Sequence, residues 1–190
     1  MRDGGARIAG AARPCLTMES IVKIVVAGPF GSGKTTFVTA AVDGKALGSE
    51  HAVSDSTRAL KEGTTTAMDH GSLDVAGTRV TLFGTPGQER FSFMWPVLAQ
   101  GMHAYVLVLD AGRLQARAQM RSIVRAFAGF APGVPFVVAA NRWDETALPA
   151  AELAAFIEVP EDAVVACDPR ERDSCLALLE HVVRLAGVRA

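Results

Sequence analysis

Apolar residues in this chain fall into short, nearly unbroken runs separated by longer stretches with helical spacing. Ile21 to Ala27 is a β-branched run that ends at a glycine, which predicts a buried strand. Lys34 to Val42 has helical character. Ser72 to Val75 and Arg79 to Phe83 flank Ala76-Gly77 and predict a hairpin. Three further strands are expected at Ala104–Leu109, Pro135–Ala140 and Ala163–Cys167, each followed by a helical segment: Leu114–Phe127, Ala150–Phe156 and Ser174–Leu185. Within the helices, Ile123, Val124 and Phe127, and likewise Leu176, Leu179, Val182 and Val183, recur every three or four residues. Continuous apolar strands alternating with amphipathic helices imply an α/β fold. The expected form is a three-layer, mainly parallel sheet with helices on both faces. Ligands of such sheets bind beyond the carboxyl ends of the strands, so chemistry is to be sought just after each strand.

The first such place carries Gly28-Pro29-Phe30-Gly31-Ser32-Gly33-Lys34-Thr35, a full match to G-x-x-x-x-G-K-[ST] between a predicted strand and a predicted helix. Small residues let the backbone wrap a phosphate and aim successive N–H groups at its oxygens. The next helix opens with unsatisfied N–H groups and a partial positive charge. Lys34 is expected to neutralise β- and γ-phosphates, the Thr35 hydroxyl to ligate Mg²⁺, and Thr36 to lie beside it at the helix start. This motif by itself specifies only a nucleoside triphosphate.

Composition narrows the picture without changing it. The 190 residues suit one domain, and 49% apolar with 21% charged residues is ordinary for a globular protein. With 19 basic and 20 acidic side chains the formal charge is -1, which gives no general attraction to nucleic acid or to an anionic membrane. Cys15, Cys167 and Cys175 have no metal-ligand spacing and read as reduced thiols of a cytoplasmic protein. No run reaches the roughly 18 to 20 apolar residues of a membrane span, so direct membrane insertion is not expected. Residues 1–17, rich in Gly, Ala and Arg, are expected to be a disordered extension, or an upstream segment with Met18 as the true start. Residues 18–190 form the single expected domain.

Three later stretches bear on the base. Asn141-Arg142-Trp143-Asp144 follows the strand Pro135–Ala140 and resembles the N-K-x-D guanine box of small GTPases, with Arg142 in place of Lys. A carboxylate at Asp144 accepts both N1–H and N2–H₂ of guanine, which adenine cannot offer. The aliphatic stem of Arg142 can still cover the base. Gly84-Thr85-Pro86-Gly87-Gln88-Glu89-Arg90-Phe91 resembles the D-x-x-G-Q switch II element. There Gly87 donates its N–H to the γ-phosphate and Gln88 orients the attacking water. Gly84 stands where an acid normally holds Mg²⁺ through water, and Asp69 is the candidate replacement, which spacing alone leaves open. Ala166-Cys167-Asp168 takes the place of the guanine loop that offers a backbone N–H to the base, or is a plain strand-to-helix loop. Lys61 to Asp69 resembles switch I, with Thr65 favoured as the Mg²⁺ and γ-phosphate sensor, Thr66 next, and Thr64 also in the run.

These elements stand in small-GTPase order from Gly28 to Asp168. The stretches TTTAMDHG, FGTPGQERF and NRWD look like the conservon-type GTPases of actinomycetes, relatives of the gliding-motility polarity GTPases and of the Ras-like superfamily. The resemblance implies a GTP/GDP- and Mg²⁺-binding cytoplasmic switch with slow hydrolysis. It also implies partners: a Roadblock/LC7-type regulatory protein and a membrane-associated sensor kinase-like protein. Two other readings stand beside it. One is an ATP-dependent P-loop kinase or ATPase, with Arg113, Arg117, Arg121 and Arg125 as a basic lid. The other is a GTP-loaded scaffold without turnover. Arg58 and Lys61 are cis candidates for completing catalysis. Arg90-Phe91-Ser92-Phe93-Met94-Trp95-Pro96 packs three aromatics into five residues. Phe91 is expected in the core, Pro96 disfavours a helix running in from Trp95, and Phe93 or Trp95 is expected to meet a regulator in the GTP form.

Overall fold

The computed structural model describes residues 21–43, 69–143 and 148–187. The N-terminal extension with Cys15, switch I with Arg58, Lys61 and Thr64 to Thr66, and Asp144 lie outside the described residues.

Six strands form one sheet in the order β2-β3-β1-β4-β5-β6. They are β1 (Val22–Ala27), β2 (His70–Val75), β3 (Thr78–Gly84), β4 (Ala104–Asp110), β5 (Phe136–Asn141) and β6 (Val164–Ala166). Only β2 runs antiparallel, paired with β3 across the Ala76-Gly77 turn as the hairpin pattern predicts. The other neighbours are parallel. Every side chain of β4 is buried, because helices cover both faces at the centre. At the edge, β2 alternates buried and exposed positions, with one face wet.

The helices are α1 (Lys34–Ala41), α2 (Trp95–Ala99), α3 (Leu114–Phe130), α4 (Ala150–Ile157) and α5 (Arg172–Leu185). On one face α1 and α5 bring Phe37, Val38, Leu179 and Val182 onto Ile24, Val26 and Val106. On the other, α2, α3 and α4 bring Trp95, Met120, Phe127, Leu153 and Ile157 onto Val25, Leu107 and Leu109. Predicted boundaries hold to within one to three residues, the largest difference being α3, which continues to Phe130.

Two expectations need correction. A 3₁₀ helix, Glu89–Met94, runs directly into α2, so Trp95 is helical with Pro96 in the first turn. Proline is tolerated there because that N–H has no intrahelical acceptor. The basic lid also fails, since Arg121 and Arg125 both bind Glu158, which closes α4 in a left-handed conformation (φ 63°). Those two guanidinium groups tie α3 to the end of α4.

Trp95 packs against Phe127 at 5.9 Å between ring centroids and is 7% exposed, whereas Phe93, two residues earlier, is 71% exposed. Trp95→Ala is expected to cost about 3–5 kcal/mol by leaving a cavity, and Phe93→Ala less than about 0.5 kcal/mol. Urea unfolding of both variants checks this, and equal losses would contradict the packing described.

Candidate functional site

The loop from Gly28 to Gly33 crosses the carboxyl end of β1 and delivers Lys34 and Thr35 at the start of α1. A cleft of about 250 Å³ opens there, lined by Phe30, Gly31, Gly33, Lys34, Thr35, Thr36, Asp69, Thr85, Pro86, Gly87 and Gln88. Residues read from the sequence as phosphate-binding and as switch II therefore meet in one cavity.

Lys34 is buried, and its Nζ donates to the carbonyls of Gly28 (3.0 Å) and Pro29 (2.7 Å). Burial lowers its pKa to about 8, with the nearby Asp69 carboxylate acting in the opposite sense. An ammonium so poorly solvated is a strong attractor for phosphate oxygens. Gly87 reaches this charge only because it has no side chain: a Cβ there would lie 2.7 Å from Lys34 Nζ and 3.1 Å from Phe30 Cα. The segment Gly84 to Gln88 thus lies directly against the phosphate loop, with Gln88 on the wall of the same cleft.

Asp69 occupies the space beside Gly84, where the resembled motif has an acid. The Thr35 hydroxyl donates to Asp69 Oδ2 at 2.6 Å. A Cβ on Gly84 would meet Asp69 Cβ at 3.0 Å and Oδ2 at 3.2 Å. The two positions are tied by Gly84 N–H donating to the Asp69 carbonyl at 2.8 Å. Asp69, leading into β2, therefore fills the space that a side chain at position 84 would use, and its carboxylate sits on the Thr35 hydroxyl. This pair of hard oxygen donors fits Mg²⁺, which prefers few protein ligands together with water and phosphate. Thr35 would hold the ion directly and Asp69 through water.

Asn141 ends β5 and its Nδ2 donates to the Ser32 carbonyl at 3.4 Å, joining the N-R-W-D sequence to the phosphate loop. Arg142 follows in a left-handed conformation (φ 53°), its guanidinium paired with the buried carboxylate of Asp110. The sequence reading missed Asp110. A lone acid closing an otherwise apolar strand was the available signal. Trp143 Nε1–H donates to the Leu148 carbonyl at 2.7 Å.

In the third loop, Ala166 is exposed while Cys167 and Cys175 are buried free thiols. The Cys167 N–H donates to the Ala140 carbonyl and the Asp168 N–H to Ser174 Oγ. Asp168 itself is held at a pKa of about 2 by hydrogen bonds from Arg170. Arg113, just before α3, approaches the phosphate loop, with Nη1 3.3 Å from where a Gly31 Cβ would be.

The arrangement defines a P-loop nucleotide-binding protein of α/β architecture. Residues 45–181, more than half of the chain, match the family described as conserved hypothetical ATP binding protein, and the chain belongs to that family. The matched segment begins after the phosphate loop. The uncharacterized protein MJ1339 of Methanocaldococcus jannaschii is 36% identical over 92 residues, 48% of this chain and 53% of the relative, so the chain spans about half the length of that curated relative. The apo cytosolic domain of the T. maritima FeoB iron transporter superposes with a TM-score of 0.64 at 17% identity, covering 90% of this chain and 66% of that one. This likeness shows the fold. Among the described residues, no helix is long and apolar enough to cross a membrane.

Two expectations follow from the site. Lys34 has its pKa lowered in the folded protein, so its charge opposes folding below about pH 8 and this cost fades as pH rises toward its ordinary value of 10.5. Bound phosphate restores the ammonium, so binding takes up a proton above pH 8. Nucleotide affinity is then expected to fall by up to about tenfold per pH unit from about pH 8 upward. Titrations across that range check it, with Lys34→Arg expected to give a flatter profile. Asp69→Ala is expected to weaken Mg²⁺-supported nucleotide binding about 10- to 100-fold. Asp69→Gly combined with Gly84→Asp is expected to recover much of it, because the acid then enters from the adjacent strand into space cleared of both the Asp69 Cβ and its carboxylate. Affinities with Mg²⁺ and with chelator for both variants decide the matter; no recovery in the double variant would count against equivalence of the two positions.

Proposed function

We propose that this protein is a Mg²⁺-dependent GTP-binding and GTP-hydrolysing switch, related to the conservon-type bacterial GTPases. The observation that carries the guanine reading is the contact of Asn141 with the Ser32 carbonyl, which draws the N-R-W-D box against the phosphate loop. Asp144, next but one after Arg142, then accepts the two guanine donors. Hydrolysis is supported by Gln88 beside Gly87 on the cleft wall and by the Thr35–Asp69 pair. Mg²⁺ bound there would neutralise charge building on the β- and γ-oxygens. Lys34 holds the same phosphates, Gly87 offers its N–H to the γ-phosphate, and Gln88 positions water. Thr65 senses the γ-phosphate from switch I.

The exposed Phe93, carried by a 3₁₀ segment that follows Gln88 directly, is the proposed contact for a regulator that distinguishes GTP from GDP. By resemblance that regulator is a Roadblock/LC7-type protein, acting with a sensor kinase-like protein in the cytoplasm. Trp95 has no part in this contact, because it is core.

ATP is the second reading, favoured by the description of the family to which the chain belongs. Side-by-side GTP and ATP affinities separate the two. The parent is expected to prefer GTP, and Asp144→Asn to lower the GTP/ATP affinity ratio about 100-fold or more. Gln88→Leu is expected to retain GTP affinity while slowing single-turnover hydrolysis. A parent that prefers ATP would refute the guanine assignment, and unaltered hydrolysis in the Gln88 variant would remove that residue from the mechanism.

A further inference from the structure

Asp110 is an anomaly in an otherwise apolar strand. It is 0% exposed, its Oδ2 accepts from Arg142, and its Oδ1 has no hydrogen-bond partner among the described residues. A carboxylate left half-satisfied in the interior is costly, and nothing in the packing of β4 calls for an acid there. What it holds is informative. The Arg142 side chain is 44% exposed and carries the one tether on the described surface that reaches down to this buried group.

The surrounding geometry makes Asp110 a fixed anchor. Asp110 and Asn141 are register partners at the ends of β4 and β5, and the Ala111 N–H donates to the Asn141 carbonyl at 2.9 Å. Asn141 in turn binds the phosphate loop through Ser32. Arg142 is the next residue, in a backbone conformation that L-residues adopt at a cost. An untethered arginine on this turn would sample many rotamers in solvent. Paired with Asp110, its guanidinium is held against the buried end of β4, which restricts the aliphatic stem before any ligand arrives. Ordering that is already complete in the free protein does not oppose binding.

We propose that Asp110 is a positioning residue for nucleotide binding, acting through Arg142 to hold its stem as one preformed wall of the base site. The inference rests on the assignment of the N-R-W-D box to the base. It extends that assignment, because the wall contributes affinity for a purine while Asp144 supplies the choice between guanine and adenine. It also accounts for arginine at a place where the resembled motif has lysine. A guanidinium keeps its charge beside a buried carboxylate and presents its donors in a fixed plane, whereas an ammonium is a rotating point charge whose pKa falls readily on burial.

The test is a double-mutant cycle on the full chain with Asp110→Asn, Arg142→Ala and the double variant, using a fluorescent GDP analogue for affinity and dissociation rate. Each single change is expected to weaken binding about tenfold, chiefly through faster dissociation. The double is expected to be no weaker than Arg142→Ala alone. GTP/ATP ratios are expected to stay at the parent's value in all three, which separates this role from that of Asp144. Losses that add in the double variant, or an Asp110→Asn protein with lower thermal stability and unchanged affinity, would make Asp110 merely structural and overturn the inference. Should Asp110→Asn not fold, Arg142→Met on the exposed turn keeps a stem of similar length without a tether. It is expected to bind like Arg142→Ala, and parent-like binding by it would equally overturn the inference. A parent that prefers ATP would instead refute the guanine assignment and leave the cycle to be read with ATP.

Discussion

A buried ammonium sets the terms for this edge of the sheet. Lys34 must keep a positive charge in a place where burial has already lowered its pKa to about 8, and the surrounding groups are those that make the charge tolerable. The carbonyls of Gly28 and Pro29 accept from it, Asp69 stands close enough to oppose its neutralisation, and Gly87 approaches without a side chain to displace it. The same requirement explains why the loop rides on β1. With helices on both faces and a parallel strand on each side, β1 is fully shielded at this end, so the loop stands on a rigid base.

Around that charge the carboxylates are used in distinct ways. Asp69 leads into β2 and Gly84 closes β3, and the glycine leaves the room that the Asp69 side chain fills. β2 and β3 are an antiparallel pair whose ends lie in register, which brings Asp69 beside Gly84 with its carboxylate on the Thr35 hydroxyl. Asp110 is wholly buried and pairs with Arg142, just beyond the end of β5. Asp168 is bound to its near neighbour Arg170 and stays within its own loop. Three acids that look alike in a list of residues therefore have three different partners, and burial with geometry decides which.

What the chain determines by itself is what rests on local spacing. The phosphate loop, its flanking strand and helix, the Ala76-Gly77 hairpin and the alternation that forces a parallel sheet are all encoded within windows of a few residues, where periodicity and turn chemistry act without help from distant parts. Asn141 and Gln88 could be picked out in the same way, because each directly follows a strand or a switch glycine.

Tertiary structure decided the rest, because those features depend on residues far apart in sequence. Asp69 comes to lie beside Gly84 only once β2 and β3 pair. Trp95 goes to the core because Phe127, on another helix, is there to receive it. Pro96 can sit in a helix because that helix happens to begin one residue before it. Arg121 and Arg125 leave the nucleotide side for Glu158, which α4 brings across to α3. Asp110 carries meaning only when β5 places Arg142 above it. In each case a side chain's partner is separated from it by many residues, so no local pattern could specify the choice that packing makes.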